Sequence, residues 1–196
     1  MHDTTSTPTP ERTIDRSTFA RMDESTKAQW DTIATESIED WANVPDRMLG
    51  MLRALSGITN GFAVDQLTHV CQTAARAERA GADDEIVAAA LCHDIAKAVS
   101  EPNHPAVAAA LLAPYVRPDV VWMVQVHQDF QGRHYYGFLG KDPEARQQYV
   151  DHPAYALAEQ FADEWDQTSF DPDYDTPPLE HFEPLVREIF SVPRRF

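Results

Sequence analysis

The run EIVAAALCHDIAKAV, residues 85–99, is apolar almost throughout, yet it sets His93 and Asp94 side by side and places Lys97 close behind them. Its pattern reads as a largely buried helix, with Asp83 or Asp84 as the N-cap. Burying an ionised carboxylate costs several kcal/mol unless it is paired or bound to a cation. A chain that folds around this segment must therefore deliver positive charge to Asp94.

The flanking patterns are helical. Residues 1–22 are rich in Thr, Ser, Pro and charge and read as a disordered or loosely docked arm, leaving 23–196 as a single domain. Ser25 is a candidate cap for KAQWDTIATESIEDW. Pro45 opens PDRMLGMLRALSG, which Gly57 ends; ITNGFAVD is a turn; QLTHVCQTAARAERAG is closed by Gly81. Asn103 or His104 caps a helix from Pro105, and Pro118 opens PDVVWMVQVHQDFQG. After a loop, RHYYGFLGKDP, a helix over 144–166 is interrupted near Pro153. TSFDPDYDTPP is irregular and LEHFEPLVREIF is a last short helix. No strand pattern or repeat emerges, so the expected class is all-α, a compact helical bundle.

The chain has 196 residues, 43% of them apolar, enough for a full core without staples. Its 32 acidic against 16 basic residues, a net charge of -16, argue against a nucleic-acid or anionic-membrane partner, which need a positive footprint. No apolar run approaches the ~20 residues of a membrane span. The N-terminus lacks the basic-then-apolar order of a secretory signal. Cys71 and Cys92 sit in apolar helical patterns and read as reduced core residues. A cytoplasmic enzyme with a small-molecule substrate is the expectation.

Eight histidines are present. His69 and Gln72 share a helix face. His104 sits at a helix start, His127 lies in an apolar helix, and Asp166 follows Trp165 late in the chain. His134, His152 and His181 lie in polar surroundings and read as surface residues, and His2 belongs to the arm. Four histidines and two aspartates are donors suited to iron, manganese or zinc, in number enough for two ions. Cations there would meet the demand of Asp94.

The ordered set HVCQTA (69–74), HDIAK (93–97), His104, His127 and WD (165–166) resembles the HD-domain superfamily over about residues 58–190. Within it, the His-x-x-Gln element and the tail WDQTSFDPDYDTPPLEHFEPLVREIF are similar to the mixed-valent diiron oxygenase branch, which includes myo-inositol oxygenase and phosphonate-cleaving enzymes. The resemblance implies an HD-domain bundle in which His69, His93 and Asp166 hold one iron, His104 and His127 the other, and Asp94 bridges them. It implies an Fe2+/Fe3+ pair, O2 as co-substrate, and oxidative cleavage of a C–C or C–P bond in a small hydroxylated substrate. Asp94 and Lys97 are the catalytic candidates; Lys97, Gln72, Phe62 and Arg133 are the substrate-binding ones. Tyr135, Tyr136 and Trp165 are further candidates for the pocket wall.

The sequence departs from the family at Ala96, where glycine is common, at Thr59 and Phe62 in the turn before His69, and at Gln131, where an anionic group would favour lysine. The alternatives are a phosphohydrolase for mono- or diesters using Mn or another divalent metal, and a catalytically silent HD-fold binding protein.

Overall fold

The computed structural model describes residues 16–194. Most of the arm expected over 1–22, including His2, lies outside the described residues. The chain divides into two compact units, one ending at Asp40 and one beginning at Trp41.

In the first unit, α1 (Lys27–Asp40) follows a short 3-10 turn, Met22–Glu24. Thr26, not Ser25, caps it. The Gln29 side chain accepts from the Thr26 backbone N–H at 2.9 Å and the Thr26 hydroxyl accepts from the Gln29 N–H, a reciprocal capping box. Ser25 instead accepts from the Trp30 indole at 2.8 Å.

The second unit comprises α2 (Val44–Arg53), α3 (Gln66–Arg79), α4 (Asp84–Cys92), α5 (His104–Leu112), α6 (Pro118–Gln131), α7 (Tyr155–Gln160) and α8 (Leu179–Ile189). No strand occurs among the described residues, so the all-α expectation holds. Helices α3 and α4 form a close pair, and their alanines 74, 77, 88, 89 and 90 are all buried. Helices α5 and α6 form a second close pair, and Phe130, Phe161, Phe182 and Phe190 are buried in the core. Cys71 and Cys92 are free, buried thiols, each pushed up to about 12 by burial. No helix among the described residues is long and apolar enough to cross a membrane.

Three local departures from the expected helices position the site. Asp83 caps α4 by accepting from the Ile86 N–H at 3.1 Å, but α4 ends at Cys92. Asp94 leaves helical geometry (φ -105°, ψ 6°) and Ile95–Ala98 is a 3-10 turn. On a continuous α-helix adjacent side chains diverge by about 100°; ending the helix at the His-Asp doublet lets both face one point. Phe161–Asp166 winds as a wide π turn after α7, which carries Asp166 inward. Gly132 opens the 3-10 turn Gly132–His134, and a Cβ there would stand 2.6 Å from the Tyr136 ring, so only glycine lets this turn close.

Candidate metal centre

Six side chains converge from five regions of the second unit: His69 on α3, His93 and Asp94 at the end of α4, His104 opening α5, His127 on α6 and Asp166 in the π turn. All are buried. Each histidine is oriented from behind by a backbone carbonyl accepting from Nδ1: Ser169 for His69 at 2.8 Å, Ala90 for His93 at 2.7 Å, Glu101 for His104 at 2.7 Å and Val124 for His127 at 2.6 Å. A carbonyl can only accept, so Nδ1 carries the proton and in the neutral ring Nε2 presents a bare lone pair.

These Nε2 atoms face one another and the carboxylates. The His69 and His93 Nε2 atoms are 3.2 Å apart, and both lie 3.4 Å from Asp94 Oδ2. Asp166 Oδ1 stands 3.2 Å from His69 Nε2 and 3.5 Å from His93 Nε2. On the other side, His104 and His127 Nε2 are 3.3 Å apart, at 3.0 and 3.4 Å from Asp94 Oδ1. Donor atoms bound to one ion at about 2.1 Å stand about 3.0 to 3.4 Å from each other, the edges of an octahedron or tetrahedron. Two bare lone pairs at such a distance repel unless a proton or a cation lies between them. Asp94 Oδ1 and Asp166 Oδ2 are buried without a hydrogen-bond partner. The donor set, the edge lengths and the two orphaned oxygens all fit metal, with one Asp94 oxygen turned to each half.

Electrostatics agree. Burial works against ionised carboxylates, yet His93 and Lys97 outweigh it at Asp94, and the His93 and His69 rings do so at Asp166, so both are held well below the usual carboxylate range. Burial also works against charged rings, yet Asp94 and Asp166 lift His93 to about 10, and Asp166 and Asp94 raise His69. At His127 burial wins and the value falls. With no ion present, protons take the place of the cations that these carboxylates require.

Lys97 extends to Asp94 Oδ2 at 2.7 Å and to Gln66 Oε1 at 3.2 Å, with its side chain only 11% exposed, so it does not snorkel to solvent. It lines a pocket of about 490 Å³ beside the centre, together with His104, Phe62, Phe170, Gln131 and Tyr135. Gln131 donates to Asp166 Oδ1 at 2.9 Å. Phe170 stacks on the His69 ring with centroids 4.2 Å apart, and Phe62 stacks on Phe170 at 4.6 Å.

Two expected substrate contacts fall elsewhere. Gln72 donates to the Asp171 carbonyl at 2.7 Å and the Thr176 hydroxyl at 3.0 Å, and accepts from the Asp171 N–H. Its amide is spent on fastening the segment after Asp166 and does not line the pocket. Arg133 is exposed and also lies off the pocket lining. Tyr136 is buried, its hydroxyl bound to Asp129, and Trp165 packs on Phe161, so neither reaches the pocket. His134 is exposed, as expected, and it also lines the pocket. Phe170, Gln66 and Glu101 were not legible as site residues. Phe170 is one aromatic in an irregular polar segment, and Gln66 and Glu101 carry only the turn spacing before His69 and His104.

The HD-domain family model matches residues 67–171, and the chain belongs to that family. The match spans His69 through Phe170 and accords with a metal-dependent enzyme. No curated protein matches the chain.

Proposed function

We propose that the protein is a mixed-valent diiron oxygenase that uses O2 to cleave a bond at a hydroxyl-bearing carbon of a small molecule. One observation supports this over phosphoester hydrolysis: the pocket offers no free cationic side chain to clamp a phosphate. Among the described residues Lys97 is the sole Lys or Arg in its lining, and Asp94 already takes its ammonium. Arg146 is buried and spent on Asp163 and Glu159. Phosphoryl transfer spreads negative charge over three oxygens and draws on such side chains as well as on ions. Gln128, Gln131 and Gln167 instead offer amides, and Phe62 and Phe170 apolar faces, suited to an uncharged hydroxylated substrate. The same shortage disfavours a phosphonate, so the reading prefers C–C to C–P cleavage.

In this reading His69, His93 and Asp166 would hold one iron, His104 and His127 the other, and Asp94 would bridge. When bound, the Fe2+/Fe3+ pair would supply O2 reduction and acidify a substrate hydroxyl. The protein does the rest. The Lys97 ammonium, its charge balanced by Asp94 and a second N–H donated to Gln66, keeps a third N–H that can hydrogen-bond an uncharged substrate oxygen. The Phe62–Phe170 stack shields His69 from water, and Gln131 fixes Asp166. The acidic balance leaves a small molecule as the natural partner, with neither nucleic acid nor an anionic membrane. With Mn or another divalent metal and a phosphate ester in the pocket, the same donors would serve the rival hydrolase.

Oxygen uptake by iron-loaded protein, measured against alcohols, diols, amino alcohols, hydroxy acids and hydroxyphosphonates, is expected to rise with at least one member. Phosphate release from mono- or diesters with no compound-dependent oxygen uptake would overturn the reading in favour of the hydrolase.

A further inference from the structure

Arg146 is 1% exposed, and a buried guanidinium costs several kcal/mol unless it is well paired. It is paired with Asp163: Nη1 lies 3.1 Å from Oδ1 and 3.0 Å from Oδ2, while Nη2 reaches Glu159 at 3.3 Å. None of these residues belongs to the metal centre. Asp163 also lies 3.1 Å from Nε2 of His134, and His134 lines the substrate pocket. The pair, buried at Arg146 and part-exposed at Asp163, therefore ends in an exposed imidazole on the pocket wall.

This arrangement settles the ring's chemistry. Burial works against ionised Asp163, but Arg146 and His134 outweigh it and hold the carboxyl below its usual value. An ionised carboxylate only accepts, so Nε2 of His134 carries a proton, and in the neutral ring Nδ1 is left bare. A base whose second nitrogen is oriented by a carboxylate is the arrangement that activates a hydroxyl in general-base catalysis.

The other residues lining the pocket are poorer bases. His104 donates from Nδ1 to a carbonyl and turns Nε2 into the centre. Lys97 is ion-paired. The Tyr135 phenol is pushed up by burial and stays protonated. The glutamines do not titrate. Glu101 offers a carboxylate and is exposed like His134, but no neighbour orients it.

We propose that His134 is a catalytic base for this site, oriented by Asp163 with Arg146 behind it. The proposal rests on the reading of the metal centre as catalytic. The hydroxyl O–H bond of the substrate breaks, its electron pair stays on the substrate oxygen, and a new N–H bond forms at Nδ1. The Asp163 carboxylate compensates the positive charge on the ring. No oxidant or reductant is consumed in this step, and it serves a substrate alcohol or a water molecule alike.

Two measurements on the full chain test it. In zinc-loaded, ¹⁵N-histidine-labelled protein, long-range ¹H–¹⁵N correlation is expected to show His134 as the Nε2–H tautomer, assigned by its loss in His134→Gln. In Asp163→Asn this tautomer should give way to a mixture. In iron-loaded protein, with the compound that gives the fastest oxygen uptake, His134→Gln should lower kcat about a hundredfold with little change in KM, while His181→Gln, on the exposed surface, stays at the wild-type rate. A mixed or Nδ1–H tautomer in the wild type overturns the proposal, and so does a His134→Gln enzyme with unchanged kcat. A wild type that neither consumes oxygen nor releases phosphate with any compound overturns the catalytic reading and the proposal together.

Discussion

Asp94→Ala is expected to empty both halves of the centre at once. The two oxygens of Asp94 are divided between the halves, Oδ2 toward His69 and His93 and Oδ1 toward His104 and His127. Loss of a residue that merely supports a ligand costs about 10- to 100-fold in metal affinity; loss of a shared ligand should exceed that in both halves. Metal content per purified chain should fall below about a tenth of wild type, with turnover down about a thousandfold. Removing the carboxylate also leaves Lys97 and His93 crowded without a counter-charge, so circular dichroism should accompany the metal analysis. Asp94→Asn, which keeps the shape, separates lost ligation from lost fold. Full metal content and activity in a folded Asp94→Ala protein would remove Asp94 from the centre.

The second large effect is on pH. In the metal-free protein Asp94 and Asp166 hold His93 protonated up to about 10, and His69 is raised as well. An ion must displace these protons to reach the Nε2 atoms. Apparent affinity should therefore climb with pH through the neutral range, by up to about tenfold per unit for each proton displaced. The climb should flatten near pH 10, where His93 releases its proton unaided. The His127 half should respond less, because burial lowers that ring and leaves it already neutral. Stability of the metal-free fold runs the other way. The contribution of His93 is complete below its unfolded value of 6.5 and is lost as pH rises toward 10. That of Asp94 and Asp166 is complete above 3.8 and is lost as pH falls below it. Isothermal titration at several pH values and thermal melts of stripped protein read both. A pH-independent affinity would show that the raised histidines take no part in binding.

The ligand residues were legible for two reasons: an aspartate in EIVAAALCHDIAKAV needs a cation, and the ordered set His69, His93–Asp94, His104, His127 and Asp166 resembles the HD-domain pattern, which implies that they hold one. The backbone that brings them together was not legible. Apolar residues stand on both sides of the doublet, Leu91 and Cys92 before it and Ile95 and Ala96 after it, so hydropathy does not mark the end of α4, although a helix continued through the doublet would turn His93 and Asp94 apart. The π turn at Phe161–Asp166 is likewise invisible in composition. Gln72 shows the opposite failure. Spacing puts it on the face of His69, but the distance to Asp171, 99 residues away in sequence, decides what its amide does. The role proposed for His134 depends on Asp163, which meets it only in the folded chain and is itself held by Arg146.

The central claim is an iron pair on these six side chains, and metal analysis with electron paramagnetic resonance on protein purified without air and then partly oxidised tests it most directly. The account predicts about two irons per chain and a mixed-valent signal that shifts when a hydroxylated substrate is added. A single divalent ion, or a loaded centre free of iron and silent in that state, would contradict it.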